Sequence, residues 1–185
     1  LINQLGQKAV GLSGKDGQIV LARKREHYQN IDGEKVGVDL GRVGAVEQVQ
    51  PHLLHLLLEN DYIPVITCLA ADAEGTEYNI NGDLFAGQLA GALGADEFII
   101  LTDVPGLMRD INDPHSLMPR VRVNEIDKLA RQGIIKGGML PKLDACRVAL
   151  QRGAGAARII NGTEPAQIEA LRRDKSIGTL ITDQA

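Results

Sequence analysis

The sequence predicts an α/β protein, a three-layer α/β/α sandwich with a mainly parallel central sheet. Short apolar runs rich in valine and isoleucine alternate with longer runs in which apolar residues recur every three or four positions, and these are the periods of strands and of amphipathic helices. Turns that contain glycine separate the runs. With 44% hydrophobic residues over 185 positions, the chain can bury a sizeable core. Strands that alternate with helices favour a parallel or mixed sheet with helices on both faces.

The composition argues against two classes of protein. The formal net charge is −4, whereas nucleic-acid-binding domains carry a basic surplus. Five Phe or Tyr residues and no tryptophan leave few side chains to stack on bases. No apolar run reaches the roughly 20 residues that span a bilayer, and no secretory signal is recognised. We therefore expect no nucleic-acid partner, no membrane partner and a cytoplasmic protein.

The cysteines and histidines predict no metal site. Cys68 and Cys146 stand far apart in unrelated apolar contexts, which favours thiols in a reducing compartment over a disulfide framework. His52 and His55 are three residues apart in a predicted helix, but nothing near them completes the ligand set that zinc requires. We interpret both as ordinary surface histidines.

The first half of the chain predicts strands on both sides of a helix. We predict strands over residues 9–14, 18–23 and 62–67, and a loop or hairpin over 72–76. The basic tract 23–25 is interpreted as a solvated face, with phosphate contact as the alternative. A helical pattern covers residues 46–58. Its buried side is predicted to contain Val46, Val49, Leu53, Leu54, Leu57 and Leu58.

The second half repeats the alternation of helices and strands. We predict helices over 85–93, 123–132, 143–151 and 165–172, strands over 98–101, 156–160 and 178–182, and a loop over 110–119. Gly94 is expected to end the first of these helices. Ile126 and Leu129 are expected to point inward from the second helix, because they lie three residues apart.

The segment from residue 78 to residue 106 is the strongest candidate for a site. Asn79, Asn81 and Asp83 are alternate residues, and alternate residues of an extended segment point to one face. Asn81 or Asp83 can also simply cap the following helix. One cap needs one side chain, however, and three polar groups stand here. Thr102 and Asp103 follow the next predicted strand, at its carboxyl end, where open α/β sheets bind ligands.

A second candidate lies at the beginning of the predicted helix near residue 140. Gly137 and Gly138 leave backbone N–H groups unobstructed, and a helix N-terminus favours anions. Lys142, one turn further on, can reach a phosphoryl group as a mobile positive charge. Taken alone, the motif is better interpreted as a connecting loop with a surface lysine. The common P-loop and dinucleotide fingerprints are absent.

Several motifs, taken in order, resemble one family. They are AVGLSGKDG at 9–17, DLGRVG at 39–44, PVI at 64–66, NINGD at 79–83, LTDVPGLM at 101–108, IIKGGMLPK at 134–142 and IGT at 177–179. In this order they are similar to the motifs of the N-acetyl-L-glutamate kinases, in the amino acid kinase superfamily. The resemblance covers essentially the whole chain. NINGD together with GGMLPK is specific, whereas either alone is weak.

The resemblance implies phosphoryl transfer from ATP, with Mg²⁺, to the side-chain carboxylate of N-acetyl-L-glutamate on the arginine pathway. In that role Asn79 and Asn81 would contact the substrate, and Asp83 would orient catalytic lysines. Lys142 would stabilise charge on the γ-phosphoryl group in the transition state. The residues implied in nucleotide binding are Thr102, Asp103, Val104, Pro105, Gly106, Leu107, Met108, Ile134, Ile135, Lys136, Gly137, Gly138, Met139 and Lys142.

The resemblance also implies two domains. Residues 1–97 would be the remainder of an amino-terminal domain for the amino-acid substrate and for dimerisation, and residues 98–185 a nucleotide-binding domain. The family's first lysine strand, its two glycine loops and its substrate-gripping arginine have no counterpart here. We therefore expect a carboxyl-terminal portion of a longer kinase, with an incomplete sheet and no turnover by itself. A homo-oligomer, a dimer or a larger ring, is implied as well.

Two alternatives to this function remain open. One is a kinase for a related carboxylate, such as a carrier-linked aminoadipate or glutamate. The other is a non-catalytic regulatory domain that binds nucleotide. Arginine-inhibited relatives carry Glu-Gly before Ile-Gly-Thr, whereas Lys175 and Ser176 stand in that place here. We therefore expect weak or absent feedback by arginine.

Overall fold

The computed structural model describes residues 1–31, 33–173 and 176–183. The chain forms two compact units, Leu1–Phe85 and Ala86–Ala185. The division falls inside a helix, earlier in the chain than the predicted boundary between residues 97 and 98. The separate roles assigned to the two domains stay a prediction.

The first unit contains eight strands and one complete helix among its described residues. They are β1 (Ala9–Ser13), β2 (Val20–Lys24), β3 (His27–Ile31), β4 (Glu34–Val38), β5 (Val43–Val49), α1 (His52–Glu59), β6 (Ile63–Thr67), β7 (Leu69–Ala71) and β8 (Glu77–Ile80). The next helix, α2 (Gly82–Ala92), begins in this unit and ends in the second.

Three groups of strands build the first unit. β1 and β6 pair in parallel, while β2, β5, β8 and β7 close into a small barrel. β3 and β4 form an antiparallel ribbon that the sequence pattern did not predict. The apolar core of the unit consists of Ile19, Val20, Ala22, Leu54, Ala70, Tyr78, Ile80 and Phe85. Burial alternates along β8, where Tyr78 and Ile80 point inward and Glu77 and Asn79 are exposed, as a strand with one solvated face requires.

The predicted helix over residues 46–58 is wrong in its first part. Val46 and Val49 lie in β5, which pairs antiparallel with β2, and helix begins only after Pro51. Four residues are too few to separate a helical from an extended period, and β-branched valine packs well in a pleated sheet. Leu58, predicted to be buried, is 47% exposed, whereas Leu54 is fully buried.

The second unit alternates strands and helices as predicted. After α2 come β9 (Phe98–Thr102), β10 (Arg120–Arg122), α3 (Ile126–Arg131), α4 (Met139–Gln151), β11 (Ala157–Asn161), α5 (Pro165–Arg173) and β12 (Thr179–Thr182). α4 begins earlier than expected, and β10 was not expected. Ile126 and Leu129 point inward from α3 as predicted.

The four strands of the second unit form one mixed sheet in the order β10-β12-β11-β9. β9 pairs in parallel with β11, and β10 with β12, whereas β11 and β12 are antiparallel. Every residue of β11 is buried, as expected for an internal strand covered on both faces. β9 is only half-buried, since Ile99 and Leu101 are 39% and 54% exposed. The predicted α/β class is confirmed, with mixed sheets.

Two glycines let α2 lie directly against the backbone of α4. A Cβ atom on Gly87 would stand 2.5 Å from the carbonyl oxygen of Ala145, and one on Gly91 would stand 2.4 Å from the Cβ of Arg152. Real Cβ atoms do not approach other atoms so closely, because the repulsion rises steeply at these distances. Glycine at these positions therefore sets the spacing between the two helices.

Substituting Gly87 tests this contact. We expect Gly87→Ala to lower the free energy of unfolding by about 1–3 kcal/mol, because the added methyl group forces α2 away from α4. Urea denaturation measures the change. Gly138→Ala is the control, since a Cβ there meets nothing within 4 Å, and its effect should stay within about 0.5 kcal/mol. Equal effects of the two substitutions would contradict the proposed contact.

Candidate functional site

The turn after β9 is held in place by a buried hydroxyl group. Thr179, fully buried at the start of β12, accepts a hydrogen bond from the Leu107 N–H at 2.8 Å. Its hydroxyl donates to the Met118 carbonyl, also at 2.8 Å. Gly106 has a φ of +150°, a backbone region that favours glycine. The turn therefore has a fixed position beside the sheet.

A short antiparallel ladder continues from this turn. The Met118 N–H donates to the Leu107 carbonyl at 2.8 Å, and the Arg109 N–H donates to the Ser116 carbonyl at 3.0 Å. Ser116 closes the loop between them. Its Oγ accepts from the Asp110 N–H at 3.1 Å, and its proton can reach the carbonyl of Asp110 or that of Asp113, at 2.6 and 2.7 Å. The segment predicted as a plain loop is thus internally ordered.

The connection from α3 to α4 carries the glycine motif. Gly133 ends α3 with a φ of +70°, and Gly137 has a φ of +53°, so glycine suits both positions. Ile135 between them is buried and anchors the segment. Gly138 is the N-cap residue of α4 with an ordinary φ of −66°. A Cβ atom on Gly137 or Gly138 would meet nothing within 4 Å. The two glycines therefore face open space.

These two segments enclose a cavity of about 360 Å³, within the usual size range of ligand pockets. Its wall consists of Gly106, Leu107, Met108, Arg109, Asp110, Ile111, Asn112, Gly133, Ile134, Lys136 and Met139. Six of these belong to the predicted nucleotide set, namely Gly106, Leu107, Met108, Ile134, Lys136 and Met139. The structure thus brings together residues that are about 30 positions apart in sequence.

Sequence reasoning missed part of this wall. Arg109 to Asn112 directly follow the LTDVPGLM motif; residues 110–112 were interpreted only as part of a loop, and Arg109 was not assigned. Asp110 accepts a hydrogen bond from the Asn112 N–H at 3.0 Å, which is an Asx turn. An Asp at this place in a polar segment is a sequence signal for such a turn, but it does not indicate a place in the cavity wall. Arg109 and Lys136 are exposed. Neither has a carboxylate within ion-pair distance among the described residues.

The other predicted nucleotide residues lie near the cavity in sequence but are not part of its wall. Thr102 ends β9, and its hydroxyl donates to the Asp103 carboxylate at 3.1 Å. Val104, Pro105 and Ile135 fall between or beside the lining residues, with Ile135 buried beneath them. Lys142 is half-buried in the first turn of α4. Its predicted role in catalysis stays a prediction.

The predicted substrate residues lie in the first unit. Asn79 is exposed on β8, and its Oδ1 atom accepts a weak contact from the Cys68 thiol at 3.9 Å. Asn81 precedes α2, and its Oδ1 atom accepts from the Leu84 N–H at 3.1 Å. The capping alternative is therefore realised by Asn81. Asp83 is half-buried in the first turn of α2, so strand alternation does not describe its orientation.

An ion pair connects the two helices that flank the glycine motif. Arg147 on α4 donates to the Asp127 carboxylate on α3 at 2.6 Å. This hydrogen bond and the charge of the guanidinium hold the pKa of the Asp127 carboxyl below its ordinary value. The Arg147 Nε atom is buried and has no hydrogen-bond partner in the described part of the chain. Asp127 is thus the group that compensates the Arg147 charge.

Some predictions fall outside what the structure describes or concern other kinds of site. Lys175, on which the expectation of weak arginine feedback depends, lies outside the described residues. Residues 1–31, 33–173 and 176–183 contain no cluster of three or more His, Cys, Asp or Glu side chains placed to hold a metal ion. His52 and His55 are exposed, as predicted. Over the same residues, every helix is too short or too polar to cross a bilayer.

The structure is that of an α/β protein with a cavity between the turn that follows β9 and the connection from α3 to α4. A model of the amino acid kinase family matches residues 1–161. The chain belongs to the amino acid kinase family, as the motifs predicted.

The curated relatives extend this comparison. The chain is 45% identical over 181 residues to the acetylglutamate kinase of Methanococcus vannielii, covering 97% of this chain and 62% of the relative. It is 47% identical over 183 residues to the acetylglutamate kinase of Desulfitobacterium hafniense, covering 98% of this chain and 61% of the relative. The chain thus spans about three fifths of the length of these relatives, and the predicted resemblance is confirmed.

Solved structures show the same fold. The N-acetylglutamate synthase of Neisseria gonorrhoeae, in complex with coenzyme A and N-acetyl-glutamate, superposes with a TM-score of 0.77 at 22% identity. The match covers 96% of this chain and 38% of that protein. At this identity the likeness concerns the fold.

Ser116 offers a local test of the cavity wall. We expect Ser116→Ala to raise the amide exchange rates of residues 109–113 about tenfold, because the hydroxyl that closes their loop is lost. Global stability should change by less than about 1 kcal/mol, since the loop is exposed. Hydrogen exchange followed by mass spectrometry measures both.

Thr102→Val is the matched control, because within the described part of the chain the Thr102 hydroxyl bonds only to the adjacent Asp103. Exchange at residues 109–113 should not respond to it. Unchanged exchange in Ser116→Ala itself would show that the loop is held by other contacts.

Proposed function

We propose that the chain supplies the nucleotide site, and part of the acceptor site, of a kinase that phosphorylates the side-chain carboxylate of N-acetyl-L-glutamate. The donor is ATP with Mg²⁺, and the product is an acyl phosphate. The observation that carries the nucleotide part of the proposal is Gly138. Its φ of −66° and the open space around its absent side chain mean that the fold does not require glycine there.

A phosphate group that approaches the backbone at residue 138 does require glycine there. The N-terminus of α4, a helix of 13 residues, presents backbone N–H groups and the positive end of the helix dipole. A side chain at residue 138 would stand between those groups and an anion. At residue 138 a Cβ atom would meet no part of the protein, so only a bound ligand gives a reason for glycine there. This supports a phosphate site at the N-terminus of α4.

The cavity wall suits the rest of a nucleotide. Leu107, Met108 and Met139 give apolar surface for a purine base. Arg109 and Lys136 add positive charge, and neither has a carboxylate within ion-pair distance among the described residues. The described residues hold no acidic cluster for a resident metal ion. In this proposal Mg²⁺ therefore arrives bound to the phosphates and neutralises part of their charge.

The acceptor side of the proposal rests on Asn79 and Asn81. In each side chain the Oδ1 atom has a contact within the protein, with the Cys68 thiol and with the Leu84 N–H. The Nδ2 groups are left as donors, which is the polarity that a carboxylate substrate needs. The relatives named acetylglutamate kinase, at 45% and 47% identity, support N-acetyl-L-glutamate as that substrate.

The chemistry assigned to the remaining residues is electrostatic. A carboxylate oxygen of the acceptor forms a bond to the γ-phosphorus while the bond to the bridging oxygen breaks, and ADP leaves with the electron pair. No proton needs to move, since the acceptor is already ionised. Lys142 stabilises the charge that develops on the transferring group, and Asp83 orients lysine side chains.

Cytoplasmic location and a homo-oligomeric state belong to the same proposal.

Nucleotide binding is the first test. We expect calorimetry to show that the chain binds the non-hydrolysable analogue AMPPNP with Mg²⁺. Gly138→Val and Lys136→Ala should each weaken binding about tenfold, by blocking the helix N-terminus and by removing a positive charge. Lys128→Ala, on the exposed face of α3, changes the charge equally outside the cavity wall. It should leave the affinity unchanged, and equal losses in all three variants would point to bulk electrostatics.

Phosphoryl transfer is the second test. Because the chain spans 61% of the Desulfitobacterium hafniense relative, the assay compares the chain alone with the chain completed by the remainder of that relative. Hydroxylamine traps the acyl phosphate. We expect turnover only from the completed protein, and a loss of at least about 100-fold in Lys142→Met, since a group that stabilises transition-state charge is removed.

Lys128→Met is the control for the transfer assay and should leave the rate of phosphoryl transfer unchanged. If the completed protein prefers an aminoadipate or glutamate derivative, that compound is the acceptor in place of N-acetyl-L-glutamate. Nucleotide binding by the completed protein without transfer to any carboxylate would favour a regulatory role instead.

A further inference from the structure

Thr179 lies behind the cavity wall, not in it. The side chain is fully buried, and the cavity lining does not include it. Its hydroxyl joins the Leu107 N–H to the Met118 carbonyl through two hydrogen bonds of 2.8 Å each. Leu107 belongs to the cavity wall, whereas Met118 leads into β10 at the edge of the sheet. One hydroxyl group therefore connects the wall of the site to the sheet.

Gly106 shows how tightly the wall is wrapped around that hydroxyl. A Cβ atom on Gly106 would stand 2.5 Å from the Thr179 Oγ1 atom and 3.0 Å from the Thr179 backbone nitrogen. Since Gly106 also has a positive φ, both the space and the backbone conformation select glycine. The turn therefore packs directly against the Thr179 hydroxyl, with no room for a side chain at residue 106.

We propose that Thr179 is a positioning residue of the nucleotide site, which holds the wall formed by Gly106, Leu107 and Met108 at the distance that the base requires. The inference rests on the proposed nucleotide function. Thr179 acts through the turn and touches no ligand. A buried N–H or carbonyl that loses its partner is strongly disfavoured, so without the hydroxyl the Leu107 and Met118 groups would move to find new partners. The wall would move with them.

The side-chain chemistry separates positioning from packing. Valine has nearly the shape of threonine but has no hydroxyl, so Thr179→Val keeps the packing and removes both hydrogen bonds. Serine keeps the hydroxyl and removes a methyl group, so Thr179→Ser keeps the hydrogen bonds at some loss of packing. If the hydroxyl positions the wall, serine preserves nucleotide affinity and valine does not.

The experiment compares these variants with Gly87→Ala, which should destabilise the same unit through α2 and α4 without touching the cavity wall. Calorimetry with Mg-AMPPNP gives the affinity, thermal unfolding gives the stability, and amide exchange at residues 106–109 reports the wall directly. We expect Thr179→Val to raise Kd about tenfold and to speed exchange at these amides. Thr179→Ser should stay within about threefold, and Gly87→Ala should lower the unfolding temperature with Kd unchanged.

The measurements distinguish a positioning role of the Thr179 hydroxyl from a role in packing alone. Equal changes in Kd for Thr179→Val and Gly87→Ala, or unaltered exchange at residues 106–109 in Thr179→Val, would overturn the positioning role. If Thr179→Val does not fold, Thr179→Cys, with a similar volume and a weak donor, takes its place and should show the same loss of affinity. If the parent chain itself binds no AMPPNP, the nucleotide proposal fails, while the exchange measurement still decides whether the hydroxyl holds the wall.

Discussion

The contact between α2 and α4 is the constraint on which the second unit depends. Gly87 and Gly91 let the helices approach until backbone meets backbone, and this distance cannot be recovered with any larger residue. α4 continues from that contact back to its N-terminus at Met139, beside the glycine motif, while its carboxyl end leads to the buried strand β11. The spacing between α2 and α4 therefore follows from two hydrogen atoms in place of side chains.

The fold class and most elements were readable from the sequence because each has a clear local signal. The helix over residues 165–172 and the strand over 178–182 were found nearly to the residue, since proline and glycine mark their ends. The region 46–49 was misread because four residues cannot distinguish two periods. The ribbon of β3 and β4 was missed since its residues are mostly exposed on both faces, which leaves no alternation of apolar and polar residues to detect.

The candidate site also contains residues that the sequence could indicate and residues that it could not. The motif LTDVPGLM is contiguous in sequence, and three of its residues, Gly106, Leu107 and Met108, do line the cavity. The role assigned to Gly137 and Gly138 stays a prediction. Arg109 to Asn112 could not be predicted, since their place in the wall depends on a ladder between residues 107–109 and 116–118. The IGT motif included Thr179 but did not indicate what its side chain does, for a similar reason. Its two hydrogen-bond partners lie 72 and 61 residues away in the chain, and threonine is an ordinary residue in a strand.

The half-exposed strand β9 has a consequence for handling the protein. β9 is the last strand of the described sheet on its side, and Ile99 and Leu101 are open to solvent by 39% and 54%. Such an edge offers unpaired backbone groups beside an apolar surface, a template on which another strand can add. The edge of β9 is therefore one place where a second polypeptide strand can add: a complementary polypeptide would cover it, and pairing with the same edge of another molecule would favour precipitation.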